Sequence, residues 1–195
     1  MTTSASVEAS STHQARGWVE SIGGPLIVVP VSALVEWGGC TGAGMVIGDT
    51  DTPDDYDRAC EVEGLADVIE VGTADARALV LADEPASSCY LPEHQAVVRW
   101  LAADSEADLL TAAGAVIADP ATVWEECGTW ETDGPAVLMD SVTPGAELDV
   151  EYPAGGLPEQ APIPLPAGRW RVRAVHAQTD ARTCVGLVQL LPLGL

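Results

Sequence analysis

Lysine is absent from this 195-residue chain, and its eight basic residues are all arginines. That omission excludes the P-loop, whose lysine reaches the outer phosphates of a nucleotide, and every Schiff-base chemistry that starts from a lysine amine. Long apolar runs are missing too. The most hydrophobic stretch, Pro25 to Val35, is far shorter than the roughly 20 residues a helix needs to cross a bilayer. The five cysteines, Cys40, Cys60, Cys89, Cys127 and Cys184, are odd in number and never form a Cys-x-x-Cys pair. Neither a zinc site nor a disulfide framework is indicated, and reduced, mostly buried thiols are expected. There is no Gly-x-Ser-x-Gly and no His-Glu-x-x-His, and His13, His94 and His176 stand apart from any nucleophile or ligand spacing. Residues 1–16 lack a basic n-region and an apolar h-region, so they read as a flexible tail rather than a signal peptide. A cytoplasmic protein is expected, with a single domain over residues 17–195.

What the chain has in abundance is acid. Thirty Asp and Glu against eight Arg give a formal net charge of −22. Such a field repels nucleic-acid phosphates and anionic lipid, which argues against a direct nucleic-acid or membrane binder and makes a basic partner the natural complement. The charge is uneven as well. Between Arg99 and Arg169 there is no basic residue, while acids run from Asp104 to Glu159. A second block, Asp49, Asp51, Asp54, Asp55, Asp57, Glu61 and Glu63, is relieved only by Arg58. Solvated faces that keep a protein soluble are the plain reading of such blocks. The lack of interspersed cations favours a docking face.

The segment Gly17 to Pro30, GWVESIGGPLIVVP, returns in weaker form as WETDGPAVLMD from Trp130 to Asp140. Each places a Trp and an acid before a Gly-Pro turn that launches an apolar run. Two further segments, Asp67 to Asp83 and Ala161 to Val175, each read as a strand, a glycine-containing turn and a returning strand. The expected fold is a β-rich α+β domain of antiparallel sheets, built from a duplicated strand-plus-hairpin unit. Strands are expected over 25–31, 95–102, 135–141, 169–177 and 184–191, with a short Met45–Ile47 strand inside a glycine-rich loop. One or two helical turns fit 53–62. One main helix is expected near 105–117, opened by a capping box from Ser105 to Asp108 and closed by Asp119-Pro120. Trp124 to Trp130 reads as an irregular link and Thr143 to Pro166 as a Pro/Gly-rich loop.

Candidate chemistries fail on spacing. Gly42-x-Gly44-x-x-x-Gly48 is one residue off the dinucleotide fingerprint and is not set between a long strand and a helix. In the run Asp49 to Asp57, Pro53 occupies the third ligand position of a calcium loop, Asp54 the obligatory glycine, and Cys60 the bidentate Glu. No metal site, cofactor or catalytic set is therefore assigned, although Asp83 and Asp140 could meet as paired carboxylates. In RWRVR, alternation puts Arg169, Arg171 and Arg173 on one face, where pairing with neighbouring carboxylates is expected rather than nucleic-acid binding.

One set of short motifs carries more. In order these are Trp18-x-Glu20-Ser21-x-Gly23-Gly24-Pro25-Leu26, Trp37-x-Gly39, Asp55-Tyr56-x-x-Ala59-Cys60, Ala78-Leu79-Val80-Leu81-x-Asp83-Glu84-Pro85 and Val98-Arg99-Trp100. Leu138-x-Asp140-Ser141 and Pro166-x-Gly168-x-Trp170-x-Val172 follow. Together they resemble immunity protein 21, a family associated with bacterial polymorphic toxin systems. The resemblance covers nearly everything from Gly17 onward, apart from the loop from Thr143 to Pro164. It implies neutralisation of a cognate toxin and carries over no catalytic residue. The repeated unit is also similar in architecture to inhibitors of competence nucleases. A toxin that attacks nucleic acid is cationic around its substrate, so an acidic partner can steer toward it and block it; a nuclease is one such partner. Anchors would be aromatics among carboxylates: Trp37, Asp54, Asp55, Tyr56 and Asp57 in one cluster, Trp124, Glu125, Glu126, Trp130 and Glu131 in the other. Trp18, Trp100 and Trp170 read as core, while Trp37, Tyr56, Trp124 and Trp130 read equally well as interface or core. The alternative is a small-ligand or cation-binding domain using the glycine-rich loop and Asp49 to Asp57.

Overall fold

A computed structural model describes residues 16–40, 53–72, 75–82 and 84–194. Along them the strands are Trp18–Val19 (β1), Leu26–Pro30 (β2), Asp67–Glu70 (β3), Arg77–Leu81 (β4), Ser88–Leu91 (β5), Ala96–Ala102 (β6), Glu125–Thr132 (β7), Ala136–Asp140 (β8), Gln160–Ile163 (β9), Gly168–Gln178 (β10) and Cys184–Leu193 (β11). The α-helices are Asp55–Cys60 (α1) and Glu106–Ala118 (α2). The expected tail up to residue 15, the Met45–Ile47 strand, residues 41–48 of the glycine-rich loop begun at Gly38, and Asp83 lie outside the described residues.

All strand pairs are antiparallel, in a six-stranded sheet of order β1-β5-β6-β11-β10-β7 and a five-stranded sheet of order β3-β4-β2-β8-β9. The β-rich α+β class expected from the sequence is the one observed. The unbroken apolar runs explain the layering. Every residue of β2 and β8 is buried, so both faces of their sheet need cover. One face meets the other sheet: Leu26, Val28, Leu79 and Leu138 pack with Val97, Trp130, Trp170 and Val188. On the opposite face, Ile27, Val29, Val80 and Met139 are covered by Ala33, Trp37, Ala59 and Leu148. The outer face of the six-stranded sheet, through Cys89, Val98 and Leu187, takes Leu109, Ala112, Ala113 and Val116 of α2. That 1-4-5-8 spacing is the apolar stripe of an amphipathic helix, and the Ser105 hydroxyl accepts the Asp108 N–H at 3.1 Å to cap it. The Asp108 carboxylate turns back onto that hydroxyl at 2.6 Å.

The strand orders are palindromic. Exchanging β1 with β7, β2 with β8, β4 with β9, β5 with β10 and β6 with β11 reproduces both sheets, and only β3 is left over. Val28 pairs with Leu138 at the centre of the β2–β8 ladder, and each follows its Gly-Pro turn at the same distance. The expected repeat is thus visible as topology, but its second hairpin is not. Residues 161–175 do not fold back on themselves: β9 closes an edge of the five-stranded sheet, while β10 crosses to the six-stranded one. Pro162 is tolerated in β9 because that strand is an edge.

Further segments differ from expectation. Residues 124–130 are not an irregular link, because Glu125 to Thr132 forms β7. Its buried residues, Cys127, Trp130 and Thr132, change phase where the register against β10 shifts between Arg171 and Arg173. The loop 143–166 contains a 3-10 turn at Gly145–Glu147 and strand β9. β1, β5 and a 3-10 turn at Val31–Glu36 are additional.

Candidate functional site

The first acidic cluster is a folded corner. Asp54 caps α1: its carboxylate accepts the Asp57 N–H at 2.8 Å while Asp57 accepts the Asp54 N–H at 3.2 Å. Asp55 reaches in the other direction, accepting the Gly38 N–H at 2.7 Å and pairing with Arg58. Three of the carboxylates expected to face a partner are therefore holding a six-residue helix against the Trp37 loop. Trp37 is 1% exposed, and its indole N–H donates to the Ser141 carbonyl at 3.0 Å. Tyr56 is half-buried and lies so close over Gly24 that a Cβ there would sit 2.6 Å from its ring. Only glycine allows that approach.

The second cluster lies on β7, beside β10. Trp130 is fully buried, with its N–H on the Arg77 carbonyl at 2.8 Å. For Trp37 and Trp130, core is the alternative that the structure shows. Trp124 is half-buried under the Arg173 guanidinium, 4.2 Å from its ring centroid. Glu125 is exposed and accepts the Leu65 N–H at 3.2 Å. Glu126 takes Arg171 in a two-pronged ion pair, one arm at 2.8 Å, and Glu131 takes Arg169 at 2.8 Å. The hydrogen bonds from Arg171 hold the Glu126 carboxyl below its ordinary range. The expected pairing of the RWRVR arginines with carboxylates is therefore seen for two of the three. It also corrects the picture of an uncompensated half: a stretch without cations in the sequence acquires them from the neighbouring strand.

Between the corner and the sheet lies Asp140, 4% exposed. Its two oxygens accept the Ile22 N–H at 2.6 Å and the Val142 N–H at 2.9 Å, tying the first Gly-Pro turn to the end of β8. Burial pushes this carboxyl up in spite of both bonds. The thiols are free, but fewer are buried than expected: Cys89 and Cys127 are buried, Cys40 and Cys184 half-buried, and Cys60 exposed. Burial and then the charges of Asp57, Asp140 and Asp54 raise the Cys60 thiol, which makes it a poor nucleophile despite its exposure. Its contact with Tyr56 takes the phenol up to about 12. Among the described residues no three His, Cys, Asp or Glu side chains come together as a metal site, and no helix is long and apolar enough to cross a membrane. No motif pointed to Ile22, Tyr152 and Leu157, which surround the pocket above Asp140.

A model of one protein family, immunity protein 21, matches residues 17–183. The chain belongs to the immunity protein 21 family. The match runs through the loop at 143–164, which the sequence resemblance had left out. No curated protein and no solved structure matches the chain. Membership gives it the role of an immunity protein, whose partner is a cognate toxin, and within this immunity protein the shared motifs acquire structural meanings. Trp37, Gly39, Asp55, Tyr56 and Gly24 build the corner, Asp140 pins it, and the buried Arg99 guanidinium donates to the Ala82 and Glu84 carbonyls.

Proposed function

We propose that this immunity protein neutralises a cationic toxin by docking over its active surface as a preformed acidic cover. One observation carries the reading. Every arginine is engaged within the chain: Arg16 with Glu106, Arg58 with Asp55, Arg77 with Glu70, Arg169 with Glu131, Arg171 with Glu126, Arg182 with Asp104, Arg99 with backbone carbonyls, and Arg173 with Trp124 and Gln189. With a net charge of −22 beyond these pairs, further cations must come from outside the chain. A field of that sign and size accelerates encounter with a basic protein, and the acceleration fades as salt shortens its reach to about 8 Å at physiological ionic strength. Neutralisation of this kind needs no catalytic step in the immunity protein. Co-expression with the toxin encoded beside it tests the reading: growth should be restored, and association of the purified pair should slow with added salt while dissociation changes little. Toxicity undiminished at equal protein abundance would remove the reading for that toxin.

A further inference from the structure

We propose that the toxin is held at the pocket between Ile22, Tyr152 and Leu157, where it inserts an arginine or lysine side chain. The inference rests on the immunity reading above and locates its binding site. The pocket is open, with a volume of about 310 Å³, and Glu20, Asp140 and Glu159 supply its acid. Ile22 is 68% exposed, Leu157 55% and Tyr152 38%, an unusual concentration of apolar surface on so charged a protein. A long cationic side chain fits this mixture from stem to tip. Its methylenes can lie on Ile22 and Leu157, its charged end can rest on the Tyr152 face, and the carboxylates draw it in.

Two features distinguish this place from the acidic face of β7. All eight arginines are engaged elsewhere, so among the described residues no salt bridge reaches Glu20, Asp140 or Glu159, whereas Glu126 and Glu131 on β7 already have arginine partners. The pocket wall is also built in advance. Tyr152 stands on a turn closed by its N–H to the Gly156 carbonyl and by the Gly155 N–H to its own carbonyl, both 2.8 Å. Gly155 and Gly156 take φ of 90° and 88°, which other residues resist. Pro158 is buried beneath this turn, and Glu159 accepts the Glu20 N–H at 2.7 Å, joining the two lips of the pocket. A surface held in its binding shape gives up little entropy on docking, and an aromatic at its centre is the usual form of a hot spot.

The test measures binding of a catalytically inactivated form of the neighbouring toxin to the full-length immunity protein. Tyr152→Ala and Leu157→Ser replace exposed side chains and should leave melting unchanged. Tyr152→Ala should weaken affinity about 30-fold, mainly through faster dissociation. Glu20→Gln with Glu159→Gln should slow association and reduce its salt dependence. Amide exchange of the wild-type complex should show residues 149–159 protected. Wild-type binding with unchanged affinity in both pocket variants, and no protection there, would overturn the pocket and leave the immunity reading standing. Loss of binding only on reversal of Glu125, Glu126 and Glu131 to Arg would move the interface to β7 and likewise overturn it. No binding by the wild type would refute both.

Discussion

Between β2 and β4 the first half of the chain inserts a 3-10 turn, α1 and β3, and these carry the Asp54–Asp57 cap, Trp37 and Tyr56. Between the corresponding strands β8 and β9, the second half inserts a 3-10 turn and the loop that presents Tyr152 and Leu157. Both insertions help cover the outer face of the five-stranded sheet, the first through Ala33, Trp37 and Ala59 and the second through Leu148, but beyond Leu148 the second leaves Val150, Tyr152 and Leu157 exposed. The two insertions meet at Trp37, whose indole N–H donates to the Ser141 carbonyl and whose own carbonyl accepts the Gly145 N–H, while Asp140 beside them ties the first Gly-Pro turn to the chain leaving β8. A similar course of strands thus supports acid bound into a helix cap in one half and acid bound to arginines or left exposed in the other. Counting carboxylates along the sequence cannot separate these uses, because both look like dense Asp and Glu.

The strongest challenge to the equivalence of the halves falls on its centre. Val28→Asp and Leu138→Asp should each abolish folding, since either buries an unpaired charge at a cost of several kcal/mol. A soluble, cooperatively melting product from one but not the other would show that the halves are not equivalent there. Next come the two buried indoles, one from each half. Trp37→Ala and Trp130→Ala should each cost about 3–5 kcal/mol in urea unfolding, from lost volume and a stranded carbonyl. Phe at the same sites should recover part of that loss but not the hydrogen bond, worth about 1–3 kcal/mol when its partner is left buried.

Asp140→Asn should have a smaller effect with a distinctive pH dependence. An amide can accept only one of the two N–H groups, so a loss of about 1–3 kcal/mol is expected near neutrality. In the wild type, burial raises this carboxyl, so the folded state holds the proton more tightly than the unfolded chain does. Its contribution to stability is fully present below the ordinary carboxyl range and is lost as pH rises through the raised folded value. Asp140→Asn should flatten that arm of the stability profile, and an unchanged slope would assign it to other groups. The smallest effect belongs to the exposed β7 pairs: Glu126→Gln and Glu131→Gln should leave the melting temperature almost unchanged, as screened surface pairs do. A large drop would mean that the edge pairs contribute to folding as the corner does.

Legibility followed the regularity of the local pattern. β2, β4 and β8 could be placed because unbroken apolar runs admit few alternatives, and α2 because Ser105, its apolar stripe and Asp119-Pro120 agree on both ends. β7 was hidden by its bulge: in Glu125-Glu126-Cys127-Gly128-Thr129-Trp130, the buried positions are three apart, which breaks the period of two. The internal bonds of the corner were hidden for a different reason. Asp54, Asp55 and Asp57 are ordinary surface residue types, and their roles depend on Gly38 and on a helix too short to show a periodicity. Tyr152 left no signal at all, since a loop residue is placed by contacts distant in sequence, such as that between Glu20 and Glu159. The pairing of Arg169 and Arg171 could be anticipated in kind, though not in partner, because strand alternation gives a face without naming the neighbour.

The palindromic strand order also describes a seam. Cut between the halves, each would expose two long edges side by side, β2 with β6 in one piece and β8 with β11 in the other. Bare strands in such an arrangement recruit the nearest matching backbone, and a second copy of the same fragment offers one in register. A half-length polypeptide would therefore be expected to survive as a dimer, joined along two zippers that the present chain closes with itself.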